Sequence, residues 1–151
     1  VIPGTNRAVV IPANKKNLRT WEGVIRTAAA DAVTDTTTGE MAMFADGPLG
    51  VILEFRLERP KSRKLEVYPV VTPDADKLAR AVLDGLQKTA FADDKQVARL
   101  LVEKRYAFAH EAPGVRVTIH ELPNAHGEAW SQAVKTLVDA ETAPNAFSDG
   151  F

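Results

Sequence analysis

The sequence predicts an α+β domain built on a mixed sheet, and three observations carry that prediction. Segments 49–58 and 114–122 alternate apolar and polar side chains with the period of two that marks a half-buried strand. Segments 17–34, 74–88 and 127–140 instead space their apolar residues by three and four, as amphipathic helices do. Strand-like and helix-like stretches follow one another as β-α-β-β-α-β-β-α, with no repeat, linker or low-complexity tract between them. One domain over 1–141, followed by a frayed tail at 142–151, is the expected organisation of the 151 residues.

Each element has its own signal. RAVVIP (7–12) reads as a short strand ended by proline. Leu18, Trp21, Ile25, Ala28, Ala29 and Ala32 set the apolar face of the first helix, and the turn-forming run TDTTTGE (34–40) closes it. LGVILEFRLE (49–58) places Leu49, Val51, Leu53, Phe55 and Leu57 on one face of a strand. LEVYPVV (65–71) is a second strand candidate, which Pro69 shortens or pushes to a sheet edge. Thr72-Pro73-Asp74 is a helix-start signal, and the helix it opens buries Leu78, Val82 and Leu86 on its way to Lys88. VARLLVEKRYA (97–107) and GVRVTIHEL (114–122) are expected to pair as an antiparallel hairpin around EAPG (111–114). Trp130, Val134, Leu137 and Val138 mark the face of the last helix.

Composition narrows the function classes. The chain has no cysteine, which removes disulfide scaffolds and thiolate metal sites. No apolar run approaches the roughly 20 residues that span a bilayer, so no membrane partner is expected. The formal charge of −1 hides an asymmetry, because residues 1–106 carry a net +3 and residues 107–151 a net −4. Such a balance permits a nucleic-acid partner without requiring one. The chain opens at Val1 rather than Met, so its natural N-terminus is expected to be absent or processed.

Acidic residues crowd both ends of the central helix. Asp74 and Asp76 open it, Asp93 and Asp94 lie beyond its far end, and Asp84 sits within it. Capping and turn formation explain each pair separately and are the commoner use of such residues. A hard divalent cation, which takes oxygen ligands, explains both pairs together. That reading requires the FADDKQ segment to double back along the helix, since the two ends are about 20 Å apart at 1.5 Å per residue. The three histidines lack metal-ligand spacing, and no serine sits in a nucleophile motif.

PDADKLARAVLDGLQKTAFADDKQVARLLVEK (73–104) resembles the signature of the RusA family of Holliday-junction resolvases. That family's pattern runs D-x-D-N-L-x-K, then D-A-L, then D-D-x-Q-V, with a lysine near the end of the next strand. Asp74, Asp76, Leu78, Asp84, Leu86, Asp93, Asp94, Gln96, Val97 and Lys104 match it. The resemblance implies a RusA-like fold and a homodimeric endonuclease that resolves four-way DNA junctions by paired nicks in recombination and repair. It implies Mg²⁺ as cofactor, with Mn²⁺ able to substitute, and action in the cytoplasm of a bacterial cell, whether bacterial or phage-encoded. By the same resemblance Asp74, Asp76 and Asp94 are the catalytic, metal-holding carboxylates, and Asp93 shapes the turn.

Two positions depart from the pattern. The family's Asn is Lys77 here, read as a contact to the DNA backbone, with a solvated helix-start lysine as the alternative. The family's Lys is Arg80, which is counted with the catalytic residues because it keeps a cation to contact phosphate or steady the transition state, but with a flat guanidinium in place of a compact ammonium. Further DNA contacts are expected from Arg59, Lys61, Arg63 and Lys64 in the basic loop, from Lys15, Lys16 and Arg19 ahead of the first helix, and from Lys104. The departures keep open a rival reading, a branched-DNA-binding protein of the same fold with weak or no chemistry. A metal-dependent nuclease for another branched or flapped DNA is a third.

Overall fold

Alternating burial builds the sheet. In the strand Leu49–Leu57, the side chains of Leu49, Val51, Leu53 and Phe55 are buried, whereas Ile52 between them is 37% exposed. Val115, Val117 and Ile119 do the same for Gly114–Glu121. One face of the sheet is therefore apolar and must be covered. The computed structural model describes residues 7–12, 18–34, 37–39, 42–123, 135, 136 and 139. Its elements are β1 (Arg7–Pro12), α1 (Leu18–Val33), β2 (Leu49–Leu57), α2 (Ala75–Leu86), a 3₁₀ turn (Asp94–Gln96), β3 (Val97–Tyr106) and β4 (Gly114–Glu121). The expectation of an α+β arrangement on a mixed sheet holds.

The strands lie in the order β1-β4-β2-β3. β4 is antiparallel to both neighbours, whereas β3 runs parallel to β2 with Leu53 opposite Val102 and Phe55 opposite Lys104. A parallel pair needs a crossover, and α2 supplies it. Both helices cover the same apolar face. α1 contributes Trp21, Ile25, Ala29 and Val33, α2 contributes Leu78, Ala81, Val82 and Leu86, and the rings of Trp21 and Phe55 meet at 6.1 Å. Each such large side chain, fully buried, stabilises the fold by about 1.5–3 kcal/mol. The helices touch where Gly85 faces α1: a Cβ there would lie 2.8 Å from Ile25 Cγ2.

Two expectations fail. Residues 65–71 form bends rather than a strand. Pro69 lacks an N–H, and the carbonyls of Arg63, Lys64 and Glu66 accept hydrogen bonds from the Arg59 guanidinium instead of a neighbouring strand. Nor do β3 and β4 form a hairpin, because β2 lies between them. After β3, Glu111 accepts hydrogen bonds from both terminal nitrogens of Arg105, which turns the chain across the sheet so that β4 returns on the far side of β2. Of the helix expected over 127–140, residues 135, 136 and 139 are helical and the rest lies outside the described residues. So do Trp130, Lys15 and Lys16, together with the side chain of Arg19.

Candidate active site

Helix α2 starts where Pro73 ends the preceding loop. Asp74 holds the N-cap position in extended geometry, and its carbonyl accepts the first helical bond, from Leu78 N at 3.1 Å. Its side chain makes no capping hydrogen bond. The carboxylate turns to Lys77 instead, with Oδ2 3.0 Å from Nζ. Asp76 stands in the first turn, also exposed. The hydrogen bond to Asp74, then its charge and that of Asp76, hold the Lys77 ammonium above its ordinary pKa. Two open carboxylates thus flank the helix entrance, where the helix dipole favours negative charge, and the capping role does not account for the first of them.

The backbone leading to this entrance is held from β3. Lys104 donates from Nζ to the carbonyls of Val71 at 2.7 Å and Pro73 at 3.1 Å. Lys104, which the sequence offered as a DNA contact, thus binds the carbonyls just before Asp74. Arg80 and Asp84 follow Asp76 at four-residue intervals and are exposed on the helix surface.

Asp93 and Gln96 organise the other end of α2. Asp93 caps the 3₁₀ turn by accepting from Lys95 N at 3.0 Å, which holds its carboxyl below the usual range. The Gln96 amide oxygen accepts from the N–H groups of Ala92 and Asp93, while its nitrogen donates to the carbonyls of Ala45 and Gly47. This double bracket fixes the turn that presents Asp94 to solvent. Sequence reasoning noted Gln96 only as a motif match. Its D-x-x-Q spacing is that of a capping box, the signal that identifies its role.

The two acid groups do not meet within one chain. From the 3₁₀ turn, the backbone enters β3 directly and runs away from Asp94 toward Lys104 and Pro73. Seven residues of strand separate Val97 from Lys104, about 23 Å at 3.3 Å per residue. FADDKQ therefore does not double back, and Asp94 lies at the opposite end of α2 from Asp74 and Asp76. Among the described residues there is no group of three or more His, Asp or Glu able to hold a metal ion.

The basic loop also divides. Arg59 donates to the carbonyls of Arg63, Lys64, Glu66 and Ala107 and lies 5.2 Å from the Tyr106 ring centre, so it organises the loop. Arg63 is bound by both oxygens of Glu66. Lys61 and Lys64 remain exposed. A second charged cluster escaped the sequence reading altogether. Arg105, buried in the sheet, donates to Glu54 and Glu111, and Arg56 also bonds Glu54. These bonds hold Glu111 down at about 2, well below its ordinary 4.5.

Compared with known protein families, residues 4–120 match the family described as endodeoxyribonuclease RusA. The chain belongs to the RusA family. The match takes in β1, α1, β2, α2, β3 and nearly all of β4, so it covers the sheet and both ends of α2. RusA proteins are endodeoxyribonucleases that act on Holliday junctions. No curated protein matches the chain in sequence. Among the described residues no helix is long and apolar enough to cross a membrane.

Proposed function

We propose that this RusA-family chain is a Mg²⁺-dependent junction endonuclease that works as a homodimer, cutting one strand with each of two symmetry-related sites. The observation that carries the reading is the pair Asp74 and Asp76, exposed at the α2 entrance with the Asp74 carboxylate unused for capping. Mg²⁺ typically takes one or two protein carboxylates and fills its remaining positions with water and substrate phosphate, so this pair fits it. Asp94 joins the set only from a second protomer, since in its own chain it lies beyond the far end of α2. When bound, the metal supplies a more acidic water and offsets charge on the phosphate oxygens.

The chain's own residues do the rest. Asp74 and Asp76 offer hard oxygens, Lys104 holds the backbone that carries them, and Gln96 with Asp93 fixes the presentation of Asp94. Arg80 lies one turn beyond Asp76 and meets the phosphate. Lys61 and Lys64 contact the DNA backbone, which calls for spread cations rather than base readers. A two-fold axis relating the sites accounts for paired cuts on a symmetric junction.

The Lys77–Asp74 ion pair favours a second reading, a branched-DNA-binding protein with little or no cleavage. A labelled four-way junction incubated with Mg²⁺, Mn²⁺ or EDTA separates them. The nuclease reading expects metal-dependent paired nicks, lost in Asp76→Asn while junction binding survives. Absence of nicking under every metal condition would leave the binding protein.

A further inference from the structure

We infer that Phe108 and the hollow beside it receive one unstacked base from the branch point of the DNA. The hollow, of about 680 Å³, opens between the basic loop and the chain that links β3 to β4. Leu65, Val67, Ala107, Phe108 and Pro113 give it an apolar wall, and its volume suits a small planar ligand. Phe108 is 46% exposed, yet the fold holds it firmly. Its N–H donates to Glu111 Oε2 at 2.9 Å, and its carbonyl accepts from Glu111 N at 3.0 Å. The Arg105 guanidinium, itself fixed by Glu111 and Glu54, lies 4.7 Å from the ring centre. The charged cluster of the sheet thus fixes an aromatic ring at the surface, and ordering that ring in advance lowers the cost of binding. The His110 ring stands nearly parallel to it, at 13° with centres 6.3 Å apart, so a flat guest meets two planes of one orientation.

The charges around the hollow favour a nucleotide over an apolar peptide. Of the carboxylates that line it, Glu66 is bound by Arg63 and Glu111 by Arg105, and Glu58 is engaged as well. The Lys64 ammonium, also at the hollow, makes no hydrogen bond or ion pair among the described residues. Proteins hold single bases in this way, with an aromatic ring against the base and a cation at its phosphate. The position agrees. Lys104 of β3 holds Pro73, next to Asp74, and three residues further on Ala107 enters the wall of the hollow. Three strand residues span about 10 Å, or about three base steps of 3.4 Å. A base in the hollow therefore lies close, along the strand, to a phosphate at the α2 entrance. Bases where the arms of an open junction meet lack a stacked neighbour on one side, so extruding one costs less than from continuous duplex. The inference rests on branched DNA being the partner, in either reading given above, and not on metal chemistry.

A four-way junction carrying 2-aminopurine in a branch-point pair, mixed with the full chain in EDTA, tests this without cleavage. The probe is dim when stacked and brightens on leaving the stack. Wild type is expected to brighten it several-fold and to leave the same probe in mid-arm dim. Phe108→Ala should lose that rise and weaken junction binding about tenfold, the worth of one base–aromatic stack, with affinity for linear duplex unchanged. Phe108→Tyr, which keeps a flat ring, should retain the affinity. Phe108→Leu, which keeps bulk without a ring face, should bind like the alanine variant. Urea midpoints show that each variant is folded. An unchanged probe on a junction that wild type binds, or junction affinity unaltered in Phe108→Ala, would overturn the inference and leave branched-DNA binding in place. Unaltered affinity is also the result expected if the hollow takes an apolar peptide instead. Failure of wild type to bind a junction at all would overturn both.

Discussion

The ammonium of Lys77 lies 3.0 Å from the carboxylate of Asp74, the residue that opens helix α2. A lysine therefore sits against an oxygen that the proposed metal would use. Both side chains are half or more exposed, so solvent screens the pair and its strength is modest. Lys77→Asn removes the competing cation and should tighten Mg²⁺ binding a few-fold. Isothermal titration of Mg²⁺ or Mn²⁺ into the DNA-free protein measures this directly. Unchanged affinity would show that Lys77 does not compete for the site.

How much of this site was legible depends on what spacing encodes. The D-x-D pair is local, so its place at a helix entrance followed from Pro73 and the apolar period of Leu78, Val82 and Leu86. The direction of the chain after Lys88 is not local. It is set by the bracket of Gln96 on Ala45 and Gly47 and by the pairing of β3 with β2, contacts between residues about fifty positions apart, so spacing could not decide whether FADDKQ returns as a metal site within one chain requires. The sheet shows the same division. β2 and β4 declared themselves by alternation, but their adjacency depends on Arg105 and Glu111 turning the chain after β3. Segment 65–71 misled for a different reason. Leu65 and Val70 are strand-forming residues that stand 96% and 86% exposed, and Arg59 takes the carbonyls nearby.

Gln96 supports both stability and the placement of Asp94. Gln96→Ala removes two accepted and two donated hydrogen bonds at distances from 3.1 to 3.2 Å. With partial solvent access to replace them, the loss should be about 1–2 kcal/mol. That lowers the melting temperature by roughly 2–8 °C for a domain of this size. Junction cleavage measured well below the melting point should fall further than the folded fraction does. Equal losses would restrict Gln96 to a structural role.

Acid should weaken the sheet through the Arg105 cluster. Hydrogen bonds from Arg105 and from Phe108 N hold Glu111 down at about 2, and bonds from Arg56 and Arg105 lower Glu54 despite the opposing effect of burial. A carboxylate whose folded pKa is depressed binds protons less readily than in the unfolded chain, so its contribution is full above the unfolded value. That contribution fades as pH falls from about 4.5 to about 2. Urea midpoints across this window should drop in the wild type. Glu111→Gln should be less stable at neutral pH and show a shallower acid decline. Parallel profiles would mean that other carboxylates govern acid unfolding.

Gly85 lets the two helices approach closely over the core. A methyl group there would meet Ile25 Cγ2 at 2.8 Å and the Glu22 carbonyl oxygen at 3.2 Å. The Ile25 side chain is fully buried and has little room to retreat, and the carbonyl belongs to α1 itself. Alanine favours a helix interior over glycine by about 1 kcal/mol, so intrinsic propensity alone predicts stabilisation. Overpacking a close contact costs about 1–3 kcal/mol, and the two effects oppose each other. The contact should win because one of the clashing atoms is backbone and cannot rotate away. Gly85→Ala is therefore expected to destabilise by about 1 kcal/mol in denaturant unfolding. Combining it with Ile25→Ala, which removes the Cγ2 atom that the new methyl meets, should cost less than the sum of the two single substitutions, whereas simple additivity would show that the helices do not meet at this pair.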